Sequence, residues 1–239
     1  MAELSPVAIL AGGRGERLGA LAKDLPKALV EVAGEPFLYH QLRLLRRAGA
    51  RRVVICTGYR AEQIVDAVGD GAAFALDVAY SDDGAVPIGT AAALRKALSQ
   101  LGDVFNVLYG DTYLRIDYAA VEAAFHESGK PALMTVLHNA NGLERSNAVY
   151  ADGTVIAYNK ERPTPDMQWI DYGLSVLTPA ALEASGDDLA TVYRKLAERG
   201  LLAGYEASER FYHVGNPEAL RETDEFLRGL DVYSDKTSS

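Results

Sequence analysis

Residues 10–19 read Leu-Ala-Gly-Gly-Arg-Gly-Glu-Arg-Leu-Gly and follow directly on the apolar run Val7 to Leu10. Glycines in such a loop let backbone N–H groups come close to an anion. Arg14 and Arg17 add charge-assisted donors suited to phosphate oxygens. Leu10, Ala11, Gly12, Gly13, Arg14 and Gly15 therefore form a candidate phosphate loop, and Pro26-Lys27 downstream adds a further cation. Two familiar phosphate loops do not fit. No Gly-Lys-Ser/Thr follows the glycines, which excludes a Walker loop. A dinucleotide fingerprint needs a third glycine where Leu18 stands, and an acid where the second apolar run ends in Cys56-Thr57-Gly58. The alternative is an ordinary glycine-rich strand-to-helix turn, against which the two arginines and Lys27 weigh.

The elements that must hold this loop follow from the apolar spacing. Val7 to Leu10 is a short buried strand stopped by Gly12-Gly13. Between Pro36 and Ala48, apolar residues recur at helical spacing and leave Arg43, Arg46 and Arg47 for solvent. RRVVICTGY, LDVAYSDD, VFNVLYGDTYL and ALMTVL read as strands; AEQIVDAVG, TAAALRKALSQL and YAAVEAAFHESG read as the helices between them. This alternation predicts an α/β fold with a mostly parallel sheet covered by helices on both faces. After about residue 145 the rhythm changes. NAVYADGTVIAYNK predicts a hairpin turning at Asp152-Gly153, WIDYGLSVL a strand, DLATVYRKLAERG a helix, Gly204 to Ser208 a strand and NPEALRETDEFLRGL a last helix. No linker or repeat divides the chain. Residues 1–232 are expected to form a single domain, and 233–239 a polar tail.

About half of the 239 residues are hydrophobic and a quarter are charged, which excludes a disordered, coiled-coil or collagen-like chain. No apolar run approaches the roughly 18 residues of a membrane span, and the N-terminus lacks the basic region of a signal peptide. The single cysteine, Cys56, excludes an internal disulfide and fits a cytoplasmic protein. A net charge of −9 argues against a nucleic-acid partner.

The stretch from Leu10 to Leu42 resembles the sugar-1-phosphate nucleotidyltransferases. Their signature is a strand, G-G-x-G-x-R-L, then P-K-x-hydrophobic, then G-x-P entering a helix. It is present in order at Gly12 to Leu18, Pro26 to Leu29 and Gly34-Glu35-Pro36. Short heptose-1-phosphate guanylyltransferase-like members look most similar. The resemblance implies a Rossmann-like (GT-A-like) mixed sheet, with the nucleotide in residues 1–125 and the sugar phosphate in 126–232. Pro87, Gly89 and Thr90 match a P-x-G-T-A loop that lies along the base and ribose; the alternative for Thr90 is a helix N-cap. Base choice would depend on contacts around Leu10, Asp82, Asp83 and Pro87.

Asp111, after Gly110, matches a strand-end aspartate that holds Mg²⁺, a hard cation suited to carboxylate and phosphate oxygens; the alternative is a cap on the next helix. Lys160 matches a lysine placed on the sugar phosphate. Asn159 stands where members often carry an acid, which leaves the sugar open. Asn147, Asp171, Tyr172 and Gly173 fall where members contact the sugar. His213 replaces a second metal-binding aspartate. A neutral imidazole is a poor Mg²⁺ ligand, so Asp111 and the phosphates hold the metal alone, or His213 contacts a phosphate or the sugar, or it packs under the last helix.

The implied reaction takes an NTP and a sugar 1-phosphate to an NDP-sugar and pyrophosphate, with GTP and a heptose or mannose 1-phosphate as the expected pair. Arg17, Lys27, Asp111 and Lys160 are the expected catalytic residues. A nucleotidyltransferase with a non-sugar phosphate or phosphonate acceptor, and an impaired nucleotide-binding regulator, are the alternatives. The resemblance is compatible with a homo-oligomer.

Overall fold

In the computed structural model, which describes residues 3–84, 86–140 and 142–234, the first half of the chain runs as the alternation predicts. β1 (Val7–Leu10) leads through the glycine loop to a small ribbon of β2 (Glu31–Val32) and β3 (Glu35–Pro36). Then come α1 (Phe37–Arg47), β4 (Arg52–Thr57), α2 (Ala61–Val68), β5 (Asp77–Asp82), α3 (Thr90–Leu101) and β6 (Phe105–Tyr109). Next are β7 (Thr112–Tyr113), α4 (Tyr118–Ser128) and β8 (Ala132–His138). The second half adds β9 (Ala148–Ala151), β10 (Thr154–Tyr158), β11 (Trp169–Leu177), α5 (Leu189–Glu198), β12 (Leu202–Ala207), β13 (Tyr212–His213) and α6 (Pro217–Ser234).

Among the described residues nine strands make one sheet in the order β5-β4-β1-β6-β11-β8-β12-β10-β9. β5, β4, β1 and β6 are parallel neighbours. β11 runs antiparallel to both β6 and β8, which makes the sheet mixed. Alternation along the strands feeds two apolar layers. Val53 and Ile55 face Leu42, Leu45, Val121 and Phe125. Val54 and Cys56 face Ala91, Ala97 and Leu94 of α3, in the layer that α5 completes with Val192 and Leu196. The alanines let α3 lie close to the sheet.

α1 buries Phe37, Leu38, Gln41, Leu42 and Leu45 on one face and ends on Arg46 and Arg47, which complement the helix dipole. α4 starts at Asp117, whose carboxylate accepts the Ala120 N–H at 3.1 Å. α6 continues to Ser234, beyond the Leu230 at which the apolar spacing stops; Leu220 and Leu227 seat it against Val32, Phe37 and Val214. Of the expected tail, 233 and 234 belong to this helix and 235–239 lie outside the described residues. No helix among the described residues is long and apolar enough to cross a membrane.

Candidate active site

The carboxyl ends of β1, β4, β5 and β6 open on a cleft of about 650 Å³, where open parallel sheets receive ligands. The expected nucleotide residues from Leu10 to Gly15 and at Pro87, Gly89 and Thr90 line it, together with Arg17, Lys27, Asp111 and Asp83; Asp82 does not. The glycines meet a steric need. A Cβ on Gly110 would stand 2.7 Å from the Leu10 carbonyl oxygen, and its N–H donates to that oxygen at 3.0 Å. Gly15 has a φ of +68° and packs over Lys27.

Asp111 sits in the tight turn between β6 and β7. The Lys27 ammonium donates to its Oδ2, with the lysine side chain only 13% exposed. The turn is held from several sides: Gly110 bonds to the β1 end, and the Val214 N–H donates to the Asp111 carbonyl at 2.9 Å. β13 pairs with β7, setting His213 opposite Thr112. Asp111 therefore does not cap α4; Asp117 does.

His213 accepts the Gly215 N–H at Nδ1 (3.1 Å), and its Nε2 lies 3.3 Å from Glu144. Burial lowers its pKa, against the pull of the Asp111 and Glu144 carboxylates. Both ring nitrogens are thus engaged. Among the described residues no group of three metal-binding side chains occurs. Mg²⁺ commonly takes one or two carboxylates and fills its sphere with substrate phosphates and water. A strand-end carboxylate beside a phosphate loop fits that habit, whereas His213 does not.

Thr90 does not cap its own helix. Its Oγ1 accepts the Leu189 N–H at 2.8 Å and so caps α5. In return the Asp187 carbonyl accepts from Ala91 (2.7 Å) and Ala92 (3.0 Å) of α3. A Cβ on Gly89, at φ +95°, would meet that same carbonyl at 2.5 Å. The two helix starts lock together, which fixes the 87–90 loop over the cleft.

The expected sugar-side residues are placed differently. Lys160 does not line the cleft: with Asn159 it lines a separate hollow, while its Nζ stands 5.8 Å from the centre of the ring of Tyr109, which does line the cleft. Asn159 turns inward on its own backbone and accepts the Glu161 and Arg162 N–H groups at 3.1 and 2.8 Å. Asn147 is buried and accepts the Asp171 N–H at 2.8 Å, tying β9 to β11. Asp171 takes the Tyr109 and Tyr158 hydroxyls on one oxygen at 3.3 and 3.2 Å. Burial raises its pKa, opposed chiefly by the Lys160 charge. Gly173, at φ +102°, lies under Thr112 and Tyr109. Tyr172 is not brought to the cleft: it is 1% exposed and packs edge-on against Phe211 in the layer of α1 and α4. In a strand, the neighbour of an inward residue faces the other layer.

Several cleft residues carry no motif. Tyr59 stacks under Arg14, at 5.6 Å from ring centre to guanidinium. Asp83, at the end of β5, keeps a buried Oδ1 without a hydrogen-bond partner, and burial raises its pKa. Tyr109 could have been found only as the last residue of the strand before Gly110-Asp111.

A sequence profile of the nucleotidyl transferase family matches residues 7–228, and the chain belongs to that family. It is 42% identical over 113 residues to the N-acetylmuramate alpha-1-phosphate uridylyltransferase of Neisseria meningitidis serogroup B, covering 47% of this chain and 49% of that one. It is 27% identical over 227 residues to the D-glycero-alpha-D-manno-heptose 1-phosphate guanylyltransferase of Aneurinibacillus thermoaerophilus, covering 92% and 97%. The crystal structure of HddC from Yersinia pseudotuberculosis complexed with GMP-PN matches with a TM-score of 0.77 at 26% identity, covering 94% of this chain and all of that one. The chain spans about half the length of several curated relatives it matches.

Proposed function

We propose that this chain transfers a nucleoside monophosphate from an NTP to a sugar 1-phosphate, releasing pyrophosphate, with GTP and a heptose or mannose 1-phosphate as the preferred pair. The observation that carries the reading is the convergence of a glycine loop, Arg14, Arg17, the Lys27–Asp111 pair and the 87–90 loop on one cleft. Residues 1–125 hold the NTP in this reading and 126–232 present the acceptor.

An oxygen of the sugar phosphate forms the new bond to the α-phosphorus while the bond to the β-phosphate oxygen breaks, and pyrophosphate leaves on the opposite side. The nucleophile is already anionic at neutral pH, so no strong base is required. The loop amides with Arg14 and Arg17 hold the departing phosphates. Lys27 offsets charge developing in the transition state, and Lys160 holds the acceptor phosphate. These are effects of position and charge. Asp111 would hold Mg²⁺, which when bound supplies further neutralisation of phosphate charge.

Asp83 supports guanine. An ionised carboxylate only accepts hydrogen bonds, so with Oδ1 buried its other oxygen can accept from guanine, which offers the adjacent donors N1–H and the N2 amino group. Uracil and thymine offer one N–H flanked by carbonyl oxygens. The 27% identical heptose guanylyltransferase and the GMP-PN complex of HddC accord with this choice. The test crosses GTP, ATP, CTP, UTP and dTTP with mannose, glucose, N-acetylglucosamine and heptose 1-phosphates in Mg²⁺, following pyrophosphate. A strong GTP signal with a mannose or heptose acceptor is expected. NTP binding without pyrophosphate from any pair would overturn the reading.

A further inference from the structure

Gln41 is an amide on the apolar face of α1, fully buried between Leu38, Leu42 and Leu45. Apolar side chains fill that face of an amphipathic helix, and a polar group there is costly unless it is fully bonded. Gln41 is only half bonded. Its Nε2 donates to the Tyr109 carbonyl at 3.0 Å and the Thr112 carbonyl at 2.7 Å, while its Oε1 is buried without a partner. A methionine of similar volume would avoid the orphaned oxygen but would take both donors from the Tyr109 and Thr112 carbonyls, so the amide is kept for what it bonds.

What Gln41 grips is informative. Tyr109 and Thr112 are the first and last residues of the turn that contains Gly110 and Asp111. The two N–H bonds fasten both ends of that turn to a rigid helix, 68 and 71 residues away in sequence. Gly110 fastens it to β1 and Val214 to β13, while Thr112 Oγ1 closes it locally on the Tyr109 carbonyl at 3.1 Å. Among the described residues Gln41 is the one side chain donating to both ends.

We infer that Gln41 is a positioning residue, which sets the Asp111 carboxylate against Lys27 and the phosphate loop through its grip on the 109–112 turn. The inference rests on the function proposed above. Its test is a double-mutant cycle of Gln41→Met and Asp111→Asn, read by turnover, GTP affinity and Tm. Gln41→Met alone should lower kcat by about tenfold or more, since misplacement of about 1 Å can cost 10²-fold. GTP affinity should stay within about threefold, while Tm falls by roughly 5 °C as the two buried carbonyls lose their donors. In the Asp111→Asn background the same change should cost less than about twofold, because residues acting as one unit are not additive. An undiminished kcat in Gln41→Met, or an equal loss in both backgrounds, would overturn the inference.

Hydrogen exchange of the 109–112 amides separates this inference from the proposed function. If the unmodified protein releases no pyrophosphate, the functional reading falls. Exchange at least about tenfold faster in Gln41→Met would still establish the clamp, and unchanged exchange would refute it.

Discussion

Replacing Gly110 by alanine puts a methyl carbon 2.7 Å from the Leu10 carbonyl oxygen and 3.1 Å from the Ala11 Cα. Both obstacles are backbone, in a strand end that is itself paired on two sides. Ordinary van der Waals contact starts near 3.4 Å, so the turn must retreat by about 0.7 Å. Asp111 follows Gly110 directly and shifts with it, away from Lys27 and the glycine loop. Overpacking of this kind costs about 1–3 kcal/mol. A Tm loss of roughly 5 °C is expected for a chain of this length. The effect on turnover should be larger, because a displacement of this size at a site working by position costs roughly tenfold or more. The assay is pyrophosphate release at saturating GTP and acceptor, beside a thermal melt. Gly229→Ala is the control: it lies in α6 with open space at the Cβ position, so turnover should hold and stability rise by about 0.5–1 kcal/mol. A Gly110→Ala variant with kcat within twofold of the parent would refute the reasoning.

Asp83→Asn should reduce the preference for GTP over UTP, because an amide can turn a donor to the base where the carboxylate offers only an acceptor; the ratio of kcat/KM values checks it. The same change should stabilise the fold at pH 7. Burial raises the Asp83 pKa above its ordinary 3.8, so the unfolded chain loses this proton first and stability falls as pH rises through that window. The gain in Tm from Asp83→Asn should therefore shrink as pH is lowered from 7 toward 4. Thr90→Val removes the acceptor for the Leu189 N–H, and loss of a cap costs about 1 kcal/mol. A Tm drop of about 2–4 °C is expected, and an unchanged melt would show that the interlocked helix starts contribute nothing.

Local pattern decided much of this molecule. α3 (Thr90–Leu101) and β11 (Trp169–Leu177) cover the same residues as the runs that predict them. The glycine loop, Lys27 and Asp111, named from short motifs, line one cleft. Pairing between distant segments was less legible. That β11 enters antiparallel between β6 and β8 follows from no periodicity, and the two-residue strands β7 and β13 are too short for any pattern. Gln41 occupies a helix position indistinguishable in spacing from a leucine, and its two acceptors are carbonyls, which no side-chain motif records. Thr90 had the sequence of an N-cap, yet its hydroxyl serves α5, 99 residues away. Tyr172 shows the reverse limit. A match to a sugar-contacting segment does not reveal which neighbour in a strand faces the ligand.

The most direct measurement follows a radioactive label placed at either the α- or the γ-phosphate of GTP, with mannose or heptose 1-phosphate and Mg²⁺. In-line attack at the α-phosphorus requires the α label to appear in the sugar nucleotide and the γ label in pyrophosphate, in equal amounts. A γ label found on the acceptor or released as orthophosphate would mean that the cleft performs a different phosphoryl transfer, and would contradict the central claim.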